Sequence, residues 1–284
     1  MTRQAKLEPM ARIPRGSVPA ALATVVLATM AAAGCGGSSS SSPATPSPTP
    51  LPSGVTACGA ISGLSTSSQA IVNGSSCTAA TASVPLLYLV GSDGRAVGSC
   101  SGTVISPTAV LTAAHCLGAD TALVRINFGP LKEIAASSFV ASPAYNGTAS
   151  NSIDVGVVLT SQPIGQPIIP LLTSRDPTVG EQAVIAGWGE DLFGQGLVLR
   201  AGVTSISQVG PVYLLNAYGG TSAGTCAGDS GGPLLVSVGG SWTVAGVTSA
   251  VSGACVAGSD YFVNVRNSTV RAFILGLAPD AVQR

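Results

Sequence analysis

Charged and aromatic residues are scarce in this sequence. Of its 284 residues, 8% are charged and 4% are aromatic, and 12 basic side chains balance 12 acidic ones at zero formal net charge. A neutral chain gives no electrostatic reason to expect binding to nucleic acid. Gly, Ser, Thr, Ala and Val abound instead, which is typical of short strands and turns and argues against long helices or a coiled coil. The length suffices for one large domain or two small ones.

Histidine is scarcer still, because His115 is the only one in the chain. A lone His beside a Cys is often a core or metal residue, but no second His or Cys lies at ligand spacing, so we expect no metal site. The segment 128–135 carries one acidic residue, Glu133, whereas a calcium loop needs several oxygen ligands. We therefore predict neither calcium nor another cofactor.

A serine lies among glycines in the stretch Gly228-Asp229-Ser230-Gly231-Gly232-Pro233. Glycines allow turns that other residues cannot adopt, and backbone N–H groups around such a serine can form an oxyanion hole. The alternative is a surface turn, because Gly, Asp, Ser and Pro are also the commonest turn residues.

A serine hydroxyl needs an adjacent base, and that base needs a buried carboxylate to orient it. His115 is the one candidate base. Asp154 is the only charge in the apolar stretch 152–159, and an unpaired buried carboxylate is costly, so we expect it to have a partner. These residues predict a catalytic group of His115, Asp154 and Ser230.

The order of these motifs resembles the trypsin/chymotrypsin-like serine endopeptidases over roughly residues 71 to 277. The matching motifs are TAAHC around His115, the strand with Asp154, GDSGGP around Ser230, and AGWG at 186–189. The resemblance implies protein or peptide substrates, an acyl-enzyme, no cofactor and a monomer.

The resemblance also assigns roles to individual residues. His115 would be the general base, Asp154 would orient it, and Ser230 would be the nucleophile. The N–H groups of Gly228 and Ser230 would form the oxyanion hole, and Ser249 matches the residue that backs the aspartate in this family.

The first 57 residues indicate export. Residues 1–35 combine a basic start with an apolar run, 18–33, that is too short for a comfortable membrane span. The run closes on Cys35 and resembles a bacterial lipobox, which predicts a lipidated surface or periplasmic protein; the alternative is ordinary signal cleavage after 31–33 and secretion. Residues 36–57 are rich in Ser, Pro and Thr and predict a tether. Membrane contact is expected only through Cys35.

A pro-segment, 58–70, precedes a mature domain that we expect to span 71–284. The sequence Ile71-Val72-Asn73-Gly74 resembles the mature start of the family, where cleavage frees an ammonium that pairs with the aspartate before the serine, here Asp229. Removing one partner of such a buried pair costs about 3–5 kcal/mol. The alternative is that Ile71 begins a strand in a one-chain enzyme. The bond to be cut follows Ala70.

Strand candidates divide into two sets of six. The first set falls at 84–90, 101–105, 109–112, 122–128, 138–141 and 155–160, and the second at 183–186, 197–206, 212–216, 233–238, 243–249 and 261–265. Val270, Phe273, Ile274 and Leu277 follow at helical spacing. We predict an all-β fold of two six-stranded antiparallel barrels, with the active site between them and a short C-terminal helix.

Seven cysteines in an exported chain suggest disulfides, with one left over. The resemblance implies the pairs Cys100–Cys116 and Cys226–Cys255. Cys58 and Cys77 then remain as a third pair, which would hold the pro-segment after cleavage, while Cys35 explains the odd count. The alternative for any pair is two buried free thiols.

Alignment on the family places the specificity pocket. Gly224 would form its floor with Thr225 beside it, and Val251, after Ala250, replaces the Gly that leaves the mouth open, as in elastases. This predicts cleavage after small aliphatic residues. Asp260 aligns with a pocket wall, where it is either hydrogen-bonded within the wall or accepts Lys or Arg.

Two rival functions follow from the same residues. One is a catalytically inactive protease-like binding protein, although such relatives typically lack a member of the triad. The other is an esterase of unrelated fold, but Ser230 lacks the Gly-x-Ser-x-Gly elbow of those enzymes.

Overall fold

The computed structural model describes residues 56–284, except 63, 64, 69, 70, 72, 149–151 and 192. The predicted export signal, Cys35 and nearly all of the tether lie outside the described residues. No helix in the described ranges is long and apolar enough to cross a membrane.

The described chain is built almost entirely of strands. Those of the N-terminal half are β1 (Ser65–Ser68), β2 (Ser75–Cys77), β3 (Leu86–Val90), β4 (Ala96–Ser101), β5 (Thr103–Ser106), β6 (Ala109–Thr112), β7 (Leu123–Asn127), β8 (Glu133–Ala135), β9 (Ser138–Ala141) and β10 (Gly156–Leu159). Those of the C-terminal half are β11 (Gln182–Gly187), β12 (Arg200–Val209), β13 (Tyr213–Asn216), β14 (Pro233–Val238), β15 (Ser241–Ala254) and β16 (Ala257–Asn264).

The C-terminal half forms a closed antiparallel barrel of six strands. Its order is β12-β11-β14-β15-β16-β13, and β13 pairs back to β12, which closes the ring. Each of the six predicted stretches of this half overlaps one of these strands. Closure leaves the barrel without a free edge, and buried side chains such as Val184, Leu234 and Phe262 fill it.

Eight strands of the N-terminal half form two curled four-stranded sheets, β5-β6-β10-β9 and β4-β3-β7-β8, whereas β1 pairs with β2 and β2 pairs with β12 of the C-terminal half. Six of these eight strands coincide with the predicted ones. The sequence did not reveal β4, because its first three residues are small and exposed, or β8, because it has only three residues. The predicted all-β, two-barrel class is confirmed.

The C-terminal helix is also confirmed as α1 (Ser268–Leu277). Asn267 caps it by accepting hydrogen bonds from the N–H groups of Thr269 and Val270 at 3.0 and 3.2 Å. Val270 and Ile274 are fully buried in the main core, so one face of the helix packs against the barrels.

The first described residues, 56–62, are part of the core. A short 3₁₀ helix, Ala57–Ile61, buries Cys58 and Ile61 completely, and the Ser83 N–H donates to the Ile61 carbonyl at 3.0 Å. Cys58 is bonded to Cys77. The pairs Cys100–Cys116 and Cys226–Cys255 are bonded too, so all three predicted disulfides are confirmed.

Candidate active site

His115 and Asp154 meet where two strands of the N-terminal half end. His115 lies in a short 3₁₀ helix, Ala114–Leu117, that follows β6, and Asp154 lies just before β10, the strand paired with β6. The His115 Nδ1 is 2.7 Å from Asp154 Oδ2, and the His115 backbone N–H donates to Oδ1 at 2.9 Å. One carboxylate thus fixes both the backbone and the ring of His115. A hydrogen on Nδ1 leaves Nε2 as the proton acceptor.

Asp154 is fully buried and receives a further hydrogen bond from the C-terminal barrel. The Ser249 hydroxyl donates to Oδ2 at 2.7 Å, so the two halves of the protein meet at this carboxylate. Tyr213, which the sequence did not single out, donates its hydroxyl to the Ser152 carbonyl. Burial, the main cause, and the charge of Asp154 raise the pKa of Tyr213.

Ser230 lies in a turn that the surrounding backbone holds firmly. The Gly231 N–H donates to Thr248 O at 2.8 Å, and the Ser101 N–H donates to Ser230 O at 2.8 Å. Gly231 has a φ of 82°, and a Cβ there would lie 2.1 Å from Thr112 Oγ1, so no other residue fits. The glycine after the serine therefore serves close packing between the two halves.

Two backbone donors of this turn face no partner within the chain. Among the described residues, neither the Gly228 N–H nor the Ser230 N–H makes a hydrogen bond to the protein. The Gly228 carbonyl, by contrast, accepts from Ser101 Oγ at 2.9 Å, which fixes the neighbouring peptide between Gly228 and Asp229. Two N–H groups beside a serine are the donors that an oxyanion hole needs.

Ser230 and His115 are neighbours without a direct hydrogen bond among the described residues. Cys116, the residue after His115, lies close to Ser230: its Sγ is 3.9 Å from the Ser230 carbonyl oxygen. The same sulfur is bonded to Cys100. Hydrogen bonds between catalytic groups are often long in a free enzyme and tighten when substrate binds. Because Cys100 and Cys116 form a disulfide, neither sulfur is a thiolate that could bind a metal with His115.

Asp229 is buried and accepts two backbone hydrogen bonds. Gly189 N–H donates to Oδ1 at 2.8 Å and Cys226 N–H donates to Oδ2 at 2.9 Å. Burial nevertheless raises the pKa of Asp229 to about 7, although these bonds and Arg200 act to lower it. No hydrogen bond or ion pair joins Ile71 to Asp229 in the described part of this uncleaved chain.

Ile71 itself is buried in an unusual backbone conformation. It is 1% exposed, and its φ is 36°, which is a strained value for a β-branched residue. Its carbonyl accepts from the Gly74 N–H. The two predicted activation residues are therefore both buried but not paired.

Arg200 is a buried cation that the sequence analysis did not identify. It is 3% exposed and donates to the carbonyls of Gly189 and Gln195, each at 2.8 Å, and to Asp191 Oδ2 at 3.1 Å. It thereby fixes the loop whose Gly189 N–H reaches Asp229. A signal was present, because Arg200 is the only charge in the apolar stretch 197–206, just as Asp154 is the only charge in the stretch 152–159.

The residues predicted for the specificity pocket lie together on the C-terminal barrel. Asp260 is fully buried: Thr225 donates to it from Oγ1 at 2.8 Å and from its N–H at 3.1 Å, and Asn216 donates from Nδ2 at 2.8 Å. Burial raises the pKa of Asp260 to about 6, although these hydrogen bonds act to lower it. Val251 pairs with Asp260 across β15 and β16 and is 40% exposed, and Ala250 pairs with Tyr261.

Comparisons with known proteins agree with this architecture. The family model described as Trypsin matches residues 71–274. A chymotrypsin of Phaedon cochleariae is 33% identical over 178 residues, which is 53% of this chain and 63%, or less than two thirds, of that protein. A solved structure described as HL collagenase superposes with a TM-score of 0.61 at 20% identity, over 73% of this chain and 98% of its own, and is similar in fold. Because the family model covers most of its length, the chain belongs to the trypsin family.

Proposed function

We propose that this protein is a serine endopeptidase that hydrolyses peptide bonds through an acyl-enzyme. The observation that carries the proposal is the contact of Asp154 with both His115 and Ser249, next to a turn that carries Ser230 and two N–H groups without partners among the described residues. Membership of the trypsin family supports the same activity.

The reaction follows from the atoms at the site. Ser230 Oγ attacks the substrate carbonyl carbon while His115 Nε2 takes its proton, and the N–H groups of Gly228 and Ser230 stabilise the oxyanion. The His115 imidazolium then protonates the leaving amine, and the acyl-enzyme remains. Water attacks the ester as His115 removes its proton, and His115 returns that proton to Ser230. Asp154 stays ionised throughout and stabilises the imidazolium.

We infer a preference for small aliphatic residues before the cut. Gly224 offers no charge at the floor, and Val251 narrows the mouth. The three hydrogen bonds to buried Asp260 support its role within the wall rather than as a partner for Lys or Arg. A preference for Lys or Arg remains the alternative, and a panel of peptides that differ only before the cut decides between them.

We further propose that the enzyme is exported and activated by cleavage between Ala70 and Ile71. The three disulfides support an oxidising compartment outside the cytosol. A preference for small residues would let the enzyme cut after Ala70 itself. Cys58–Cys77 would then keep the cleaved segment attached. The mass of the mature N-terminal peptide distinguishes lipidation at Cys35 from signal cleavage and secretion.

A fluorophosphonate probe tests the enzymatic proposal directly. We expect covalent labelling of Ser230 in the cleaved protein, with none in the matched variants Ser230→Ala and His115→Ala. Intact mass and peptide mapping identify the labelled residue. A cleaved protein that does not react would favour the rival function, an inactive protease-like binding protein.

A further inference from the structure

Tyr218 is an aromatic residue that the proposed mechanism does not use, and it lies at the pocket. It follows β13 and is 6% exposed. Its N–H donates to Gly258 O at 2.9 Å, and the Gly258 N–H donates back to its carbonyl at 3.2 Å. This reciprocal pair fixes its backbone to β16, the strand that carries Asp260.

The ring of Tyr218 occupies the space into which a side chain at position 224 would extend. A Cβ built on Gly224 would lie 2.3 Å from both Cγ and Cδ2 of the ring and 2.8 Å from Cδ1. Real Cβ contacts are never this short, so the ring packs directly against the Gly224 Cα. The glycine at the proposed floor is therefore required by the ring above it.

The same ring reaches toward Asp260. A Cβ built on Gly258 would lie 3.1 Å from Tyr218 Oη, so the hydroxyl end lies against β16. Burial, followed by the charge of Asp260, raises the pKa of Tyr218. The ring thus extends from the floor residue to the strand that bears the buried carboxylate.

We propose that the Tyr218 ring forms the base of the substrate pocket and sets its depth. Val251 limits the width of side chains that enter, whereas Tyr218 limits their length, so unbranched side chains are rejected once they reach the ring. The inference rests on the proposed function, because it names the determinant of substrate choice at the same site.

Substrates with straight side chains distinguish the depth of the pocket from the width of its mouth, because unbranched side chains of different length have the same width at Val251. The experiment measures kcat/KM for chromogenic peptides with Ala, 2-aminobutyrate, norvaline or norleucine before the cut. In the wild-type protein we expect norleucine to be cut at least about tenfold less well than norvaline, the scale of one unaccommodated methylene in a closed pocket. In Tyr218→Ala that loss should disappear.

Matched variants make the result specific. Tyr218→Phe keeps the ring and should retain the wild-type length profile, and Val251→Gly should admit branched and aromatic residues without changing it. Tyr218→Leu, which shortens the side chain but stays apolar, provides a second readout where the alanine variant is unstable.

An unchanged length profile in active Tyr218→Ala or Tyr218→Leu would overturn the inference, as would a wild-type enzyme that cuts norleucine as well as norvaline. Failure of the proposed function looks different, because Ser230 in the cleaved wild-type protein would then not react with the fluorophosphonate at all.

Discussion

Two buried aspartates, 75 residues apart in the sequence, have different partners in this structure. Asp154 is contacted by side chains from both halves of the protein, since the His115 ring and the Ser249 hydroxyl both lie 2.7 Å from its Oδ2. Among the described residues, Asp229 accepts hydrogen bonds from backbone N–H groups alone, and burial raises its pKa to about 7. The contacts of Asp154 with His115 and Ser249 are present in the uncleaved chain, whereas no cation contacts Asp229 among the described residues.

The difference shows what cleavage would add. In the proposed activation, an ammonium at Ile71 would pair with Asp229, and this pairing would orient the Gly228 and Ser230 N–H groups within the turn. The strained φ of Ile71 would relax once the bond before it is cut. Catalytic competence would therefore be limited by the Asp229 side of the site.

The largest effect is expected at the triad itself. Replacing Ser230, His115 or Asp154 by Ala should lower kcat by about four to six orders of magnitude in the cleaved enzyme. Double variants should lose little more than the single ones, because the three residues act as a unit. Steady-state kinetics with a chromogenic peptide give kcat for each variant. Losses in the double variants that are close to the sum of the single losses in free energy would count against the triad.

The next effect concerns Asp229. Asp229→Asn should fold and be cleaved by an added protease, yet remain nearly inactive, because a neutral amide cannot pair with the ammonium. Its kcat/KM and its circular dichroism spectrum are compared with those of Ser230→Ala. Wild-type turnover in Asp229→Asn, or in an uncleaved wild-type chain, would refute the activation pair.

A smaller effect is expected at Arg200. Arg200→Met removes the donors to Gly189 O, Gln195 O and Asp191 while keeping an apolar stem of similar length. We expect kcat to fall by roughly tenfold with KM little changed, because the loop that binds Asp229 loosens. This effect is smaller than the complete loss of one oxyanion donor, which lowers kcat by about a hundredfold to a thousandfold. Arg125→Met, at an exposed ion pair with Glu133, is the matched control and should leave kcat unchanged.

The smallest effect is a pH dependence of stability in the uncleaved chain. Burial raises the pKa of Asp229 to about 7 and that of Asp260 to about 6, both from 3.8. Between pH 3.8 and these raised values, the folded state therefore binds more protons than the unfolded state. Their contribution to stability is full below about pH 4 and is lost as the pH rises through 6 and 7.

Thermal unfolding of uncleaved Ser230→Ala measures this dependence. The loss of Tm from pH 4.5 to pH 7.5 should be smaller by a few degrees in the Ser230→Ala, Asp229→Asn double variant, because the amide does not titrate. Equal slopes in the two proteins would show that Asp229 titrates normally.

Local motifs predicted much of this molecule, because certain backbone positions allow few residues. Gly231 in the serine turn has no room for a Cβ, and Asp154 is a lone charge in an apolar stretch just before β10. The glycine-rich motif around Ser230 and the lone charge can both be read without a structure. The six strands of the closed barrel were also visible as apolar runs between turns.

Other features depend on contacts between distant parts of the chain. Tyr218 packs on Gly224 and on β16, and Arg200 contacts three residues of one loop, so neither role appears in the local sequence. The sequence did not predict β4, whose first residues are small and exposed, or β8, which has only three residues. Each of these strands is stabilised by pairing with a neighbour, β4 with β3 and β8 with β7. The burial of Cys58 and Ile61 was equally hidden, since a segment of 5 residues is too short to give a periodic signal.

The rate at which a fluorophosphonate labels Ser230 before and after cleavage at Ile71 tests the contrast between the two aspartates most directly. We predict that labelling is confined to Ser230 and becomes at least about a hundredfold faster on cleavage, the scale of an oxyanion donor gained. Asp229→Asn should remain at the slow rate in both forms. Equal labelling rates in the cleaved and uncleaved wild-type chains would contradict the proposed contrast between Asp154 and Asp229.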